Sequence, residues 1–173
     1  MRRSAALFAA FMPILAVAAY TSPSSEAFSD GAGPETSGHF GAQLVLTPDE
    51  SQFVRAWIES PRSSDLPATA SVRLGASVTA LLVFQGCTPD ASGKCNVVAD
   101  FSLIAPNGSF IPGGTGALWA AKPMPGRLHL GNASMGLRFD PADPIGQYKV
   151  IATVKDNVSG RTLSLSSVLV VQE

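Results

Sequence analysis

From Phe40 onward the chain is divided into short runs in which apolar and polar residues alternate, and this period of two most limits the fold. The clearest run spans 147–155. Tyr148, Val150, Ala152 and Val154 fall on one side of it, and Gln147, Lys149, Thr153 and Lys155 on the other. Successive side chains of a strand point to opposite faces, so such a run buries one face and wets the other. Asp156-Asn157-Val158-Ser159-Gly160 supplies turn residues, and 162–171 returns as the second arm of a hairpin.

Earlier runs read the same way. Residues 40–47 end at the Thr47-Pro48-Asp49 turn. Residues 77–85 place Val78, Ala80, Leu82 and Phe84 on one face, while Leu81 and Val83 make the other partly apolar. Residues 96–104 align Val97, Ala99, Phe101 and Leu103, and 134–140 align Met135, Leu137 and Phe139. A short run lies at 71–74. The run 53–59 fits either a strand or one helical turn after Asp49. No amphipathic helix of ten or more residues is predicted between strands, which argues against a parallel α/β fold. The expectation is an all-β, antiparallel two-sheet sandwich of about seven to nine strands.

Ahead of these runs lies an export signal. Arg2 and Arg3 form a short positive segment, residues 5–19 are almost wholly apolar, and the run closes on small residues that suit cleavage near Ala18 or Ala19. It is too short to span a bilayer comfortably, and Pro13 interrupts it. Residues 20–39 are rich in Ser, Gly and Pro and read as a flexible tether. The predicted order is a signal peptide at 1–19, a tether at 20–39 and a sandwich domain at 40–173, with a periplasmic or secreted destination. No later apolar stretch is long enough to be a transmembrane segment of the mature chain.

Export allows the two cysteines to be oxidised. Cys87 and Cys95 stand at the end of one predicted strand and the start of the next, where antiparallel neighbours can bring them within bridging distance. A structural disulfide is expected. Two thiols with only His39 and His129 make a poor zinc set, and the spacing is too long for a redox Cys-x-x-Cys pair.

Two stretches also carry a resemblance. Pro144-Ile145-Gly146-Gln147-Tyr148-Lys149-Val150, followed by Val154-Lys155-Asp156, resembles the closing strands of immunoglobulin-like and macroglobulin-like sandwiches in bacterial envelope proteins. It implies that the Tyr148 hydroxyl bonds backbone near the corner before its strand. The segment from Phe84-Gln85-Gly86-Cys87 to Gly93-Lys94-Cys95, with Ala105-Pro106-Asn107-Gly108-Ser109, is similar to a family of secreted bacterial proteins of uncharacterised activity. These likenesses imply an immunoglobulin-like form of the sandwich and bring no activity with them.

Charge and motif content then narrow the function. From residue 39 onward ten Lys/Arg balance ten Asp/Glu without clustering, which disfavours nucleic acid and a polybasic membrane contact. Gly131-Asn132-Ala133-Ser134-Met135-Gly136 is not a Gly-x-Ser-x-Gly elbow, and Gly113-Gly114-Thr115-Gly116 precedes no predicted helix that would cradle phosphate. The acids Asp49, Glu50, Asp65, Asp90, Asp140, Asp143 and Asp156 are read as sitting mostly in turns. His129, Met124 and Met135 would suit soft copper, but they share no repeated pattern, and a partly exposed histidine at a strand end is the simpler reading. No catalytic residue, metal or cofactor is expected.

What remains is a binding surface. Residues 111–127 look like a long irregular segment, and such loops often carry function. Trp119, Met124 and Arg127 are its candidate contact residues. Trp119 is either an anchor for a ligand or partner, or a lid over the sandwich edge, with the lid favoured. The expected function is a non-enzymatic binding or assembly module that meets an envelope or extracellular protein. The alternatives are a carbohydrate-binding sandwich using Trp119 and a small secreted hydrolase.

Overall fold

The computed structural model describes residues 35–37, 39–61 and 65–173. The predicted signal peptide and most of the tether lie outside the described residues. Among the described residues, nine strands and one helix follow in chain order: β1 Glu35–Ser37, β2 Phe40–Thr47, α1 Glu50–Glu59, β3 Ser71–Arg73, β4 Ser77–Gln85, β5 Val97–Ile104, β6 Phe110–Trp119, β7 His129–Arg138, β8 Gly146–Asp156 and β9 Thr162–Gln172. They form two sheets, ordered β1-β2-β4-β7 and β3-β9-β8-β5-β6. β1 falls in the stretch read as tether and pairs antiparallel with β2.

The alternating runs explain this architecture. Leu44, Ala80, Leu82 and Phe84 from one sheet meet Val97, Ala99, Val150, Ala152 and Val154 from the other in a single buried core. Each fully buried Val, Leu or Phe side chain there contributes about 1.5–3 kcal/mol relative to exposure. The fold is all-β as expected, with one departure from a wholly antiparallel arrangement. β3 pairs parallel to β9, Ser71 opposite Val170 and Arg73 opposite Gln172. A three-residue strand carries too little pattern to reveal its direction.

Three further segments differ from expectation. Residues 50–59 are a ten-residue helix, set by Asp49, whose carboxylate accepts the Gln52 N–H at 2.9 Å as an N-cap. Phe53 and Trp57, four apart on one helical face, cover Val45, Leu81 and Val83 on the outer side of β2 and β4. The second apolar face of β4 is thereby buried under α1. The first part of 111–127, expected to be irregular throughout, belongs to the edge strand β6, Phe110–Trp119. Its first six residues are exposed, so no alternation marks it, and two bulges interrupt its pairing with β5. β7 begins at His129, five residues before the expected start, because Gly131 and Asn132 lie within the strand despite their turn chemistry.

The Cys87–Cys95 disulfide is present, with Cα atoms 6.0 Å apart. Tyr148 Oη donates to the Pro144 carbonyl at 2.9 Å, as the likeness to sandwich closing strands implied. Asp156, fully buried at the end of β8, ties two loops together. Its carboxylate accepts the Thr88 N–H at 2.9 Å, the Val158 N–H at 3.1 Å and the Ser159 hydroxyl at 2.7 Å. Among the described residues no helix is long and apolar enough to cross a membrane.

Candidate functional site

β6 and β7 are joined by residues 120–128, and this connection closes over the C-terminal end of α1. Its course is pinned at three points. The Ala121 carbonyl accepts the Cys95 N–H at 3.0 Å, the Met124 carbonyl accepts the Arg127 N–H at 3.2 Å, and the backbone of Met124 is hydrogen-bonded to the His129 imidazole. Leu128 packs onto the apolar cluster beneath α1. Between loop and helix lies a groove of about 650 Å³, with Trp57, Glu59 and Pro61 on one wall and Met124, Arg127 and Leu128 on the other. That volume falls within the range of small-molecule and peptide-side-chain pockets.

Two of the three predicted contact residues therefore meet here. Met124 is 52% exposed, and Ile58, on the solvent side of α1, is 74% exposed. Glu59 and Arg127 give the groove one charge of each sign on facing walls. Trp119 is not in the groove. It is half-buried at the end of β6, edge-on to Phe84 at 5.7 Å and tilted over His129 at 4.7 Å. Its indole Nε1 is a buried donor without a partner.

His129 corrects a second expectation. It is 3% exposed rather than partly exposed, because it sits at the start of β7 beneath Trp119 and Phe84. Burial pushes its pKa below the ordinary value, and the hydrogen bond to the Met124 backbone partly offsets this. Met135 is buried in the core against Gly113. Among the described residues no three His, Cys, Asp or Glu side chains gather closely enough to hold a metal ion. The groove offers apolar surface and two opposite charges, a chemistry suited to holding a partner.

Trp57 and Glu59 were missed as groove residues because the period of 53–59 was ambiguous. The Asp49 cap followed by Phe53 and Trp57 at a spacing of four was the signal that would have placed them on a helix.

The chain matches no family model and no curated protein sequence. Among solved structures it is similar to a family 123 glycoside hydrolase from Clostridium perfringens, studied for glycolipid glycan hydrolysis. The identity is 12% and the TM-score 0.44, over 75% of this chain and 27% of that one. It is also similar to an alkylpurine DNA glycosylase of Pseudomonas fluorescens bound to DNA containing an abasic-site analog, at 13% identity and TM-score 0.38, over 60% of this chain and 28% of that one. A Niemann-Pick type C2 protein from the Japanese carpenter ant gives 8% identity and TM-score 0.39, over 75% of this chain and 89% of that one. The chain spans roughly a quarter of the first two proteins. Likenesses this distant carry no functional assignment.

Proposed function

We propose that this chain is an exported, non-enzymatic binding module on an immunoglobulin-like sandwich, and that it holds an envelope or extracellular protein in the groove between α1 and the β6–β7 loop. The carrying observation is that Met124 and Arg127 meet Trp57 and Glu59 across one groove, beside the exposed Ile58. Exposed apolar side chains rimmed by charge are typical of contact surfaces. The strand order supports the immunoglobulin-like reading. β2-β4-β7 and β9-β8-β5 are ordered as strands A, B, E and G, F, C are in the two sheets of such domains, and the Tyr148–Pro144 bond stands at the corresponding corner. The Arg2-Arg3 leader and the disulfide support export.

A photo-crosslinking residue at Ile58 tests the reading in the native envelope. The expected result is one dominant adduct that a Met124→Asp, Arg127→Glu double variant reduces by about 30-fold or more, a loss typical of hot-spot residues. Undiminished capture by a folded double variant would place the contact elsewhere.

A further inference from the structure

The two sheets differ in what lies on their outer faces. α1 covers the outer face of β2 and β4, burying Val45, Leu81 and Val83 under Phe53 and Trp57. Several outward positions of the other sheet are apolar too, and among the described residues none of these is buried. One row runs Val168, Lys149, Ile104 and Phe110 across β9, β8, β5 and β6. Val168 is 49% exposed and Phe110 65%. The next row adds Ile151 on β8 and Pro112 on β6. A wet sheet face ordinarily alternates to polar residues, so apolar side chains in adjoining rows mark a surface that a partner covers.

The β6 edge of this sheet is a poor place for a further strand. β6 and β7 approach along the seam between the sheets by fitting side chains into glycine notches. A Cβ on Gly131 would overlap Leu118, one on Gly116 would stand 3.2 Å from Ala133 Cβ, and one on Gly113 would overlap Met135. β7 is thus held against that edge, and Pro112 and two bulges in β6 disfavour regular pairing. The open surface is the broad outer face.

The charges on this face fit it to itself. Across the four rows from Lys149 to Lys155 the only charged side chains are Lys149, Asp100 and Lys155. Lys149 on β8 and Asp100 on β5 are exposed and lie on neighbouring strands, two rows apart. A two-fold axis lying in the face, midway between them, exchanges their positions, so Lys149 of each copy meets Asp100 of the other. Ile151, in the row between, then falls beside its own counterpart, while Lys155 stands one row further out at the rim. Strands ~4.8 Å apart and rows ~6.8 Å apart make the face about 500 Å² per copy, so two copies reach the lower bound of about 1,000 Å² for a specific interface. We infer that this face docks on the same face of a second copy, forming a weak, reversible two-fold dimer. It lies on the opposite side of the sandwich from α1 and does not rest on the protein partner proposed for the groove there.

The test is sedimentation of the full chain from about 10 μM to about 1 mM, the span over which a weak dimer dissociates. The wild type should pass from monomer to dimer. Lys149→Glu and Asp100→Lys lie at exposed positions and leave the core intact. Each should weaken self-association by about ten-fold or more, because each sets like charges against one another across the axis. An equimolar mixture of the two should dimerise to within about three-fold of the wild type, since each copy then carries the charge that the other lacks. A monomer at every concentration would overturn the inference. So would a dimer that neither reversal weakens, or a mixture of folded variants that associates no better than its components, since another surface or another protein would then account for the contact.

Discussion

His129 holds the backbone of Met124 by a hydrogen bond from a ring that lies buried under Trp119 and Phe84. A titratable group inside the sandwich thus fixes the loop that walls the groove. Its folded pKa lies below the ordinary 6.5 because burial disfavours the cation. The stabilisation is therefore complete above about pH 6.5 and declines as pH falls through that value toward the folded one. Urea midpoints measured from pH 7.5 to 5 should fall, and His129→Phe should flatten that slope while loosening residues 120–128. A wild-type midpoint that does not change over this range would contradict the assignment.

Asp156 predicts a separate acid transition. Burial alone would raise its pKa, but the bonds from Ser159, Thr88 and Val158 outweigh it and hold the carboxyl below the ordinary 3.8. Its contribution is present above that value and is lost as pH drops through the folded pKa. Asp156→Ala should destabilise by about 2–3 kcal/mol at neutral pH, since three donors lose a charged acceptor. Amide hydrogen exchange should quicken at Thr88 and Val158 together, 70 residues apart in the chain.

The glycine notches can be tested one against another. Gly131→Ala places a methyl against Leu118, which is fully buried and has no room to yield, and should cost about 1–3 kcal/mol. A Cβ on Gly136, in the same strand, meets nothing within 4 Å. Gly136→Ala should leave stability unchanged or raise it by about 0.4–1 kcal/mol through the unfolded chain. Thermal unfolding of the two variants side by side gives the comparison, and equal effects would refute the seam geometry.

Trp119→Ala should lower folding stability by about 3 kcal/mol, because the ring packs on Phe84 and His129. Partner capture should then be retained wherever the variant stays folded, since Trp119 does not line the groove. A stability change below about 0.5 kcal/mol, as for an ordinary surface substitution, would show that the ring does not pack as described.

The sequence is most informative where one face of a strand is buried and the other wet. Tyr148, Val150, Ala152 and Val154 alternate because β8 sits in the middle of its sheet, and that run was legible. β6 was not, because its edge position leaves Phe110 to Thr115 exposed on both sides and removes the alternation. Leu81 and Val83 make the outer face of β4 partly apolar in sequence, and the folded structure shows that α1 covers it. In the groove, Met124 and Arg127 were legible from their place in a Pro- and Gly-rich stretch. Trp57 and Glu59 join them through tertiary packing that no local spacing reports.

The parallel pairing of β3 with β9 has a kinetic consequence. Ser71 finds its partner in Val170, and β9 lies between β3 and β8 in the finished sheet. Until β9 has been delivered, β3 has no neighbour and β8 presents an open edge. Contacts so distant in sequence must close a long loop before they return any free energy, which places such domains among the slower folders. A chain that emerges N-terminus first therefore stays unfinished until its last strand arrives, and β9 acts as the latch that completes the sheet.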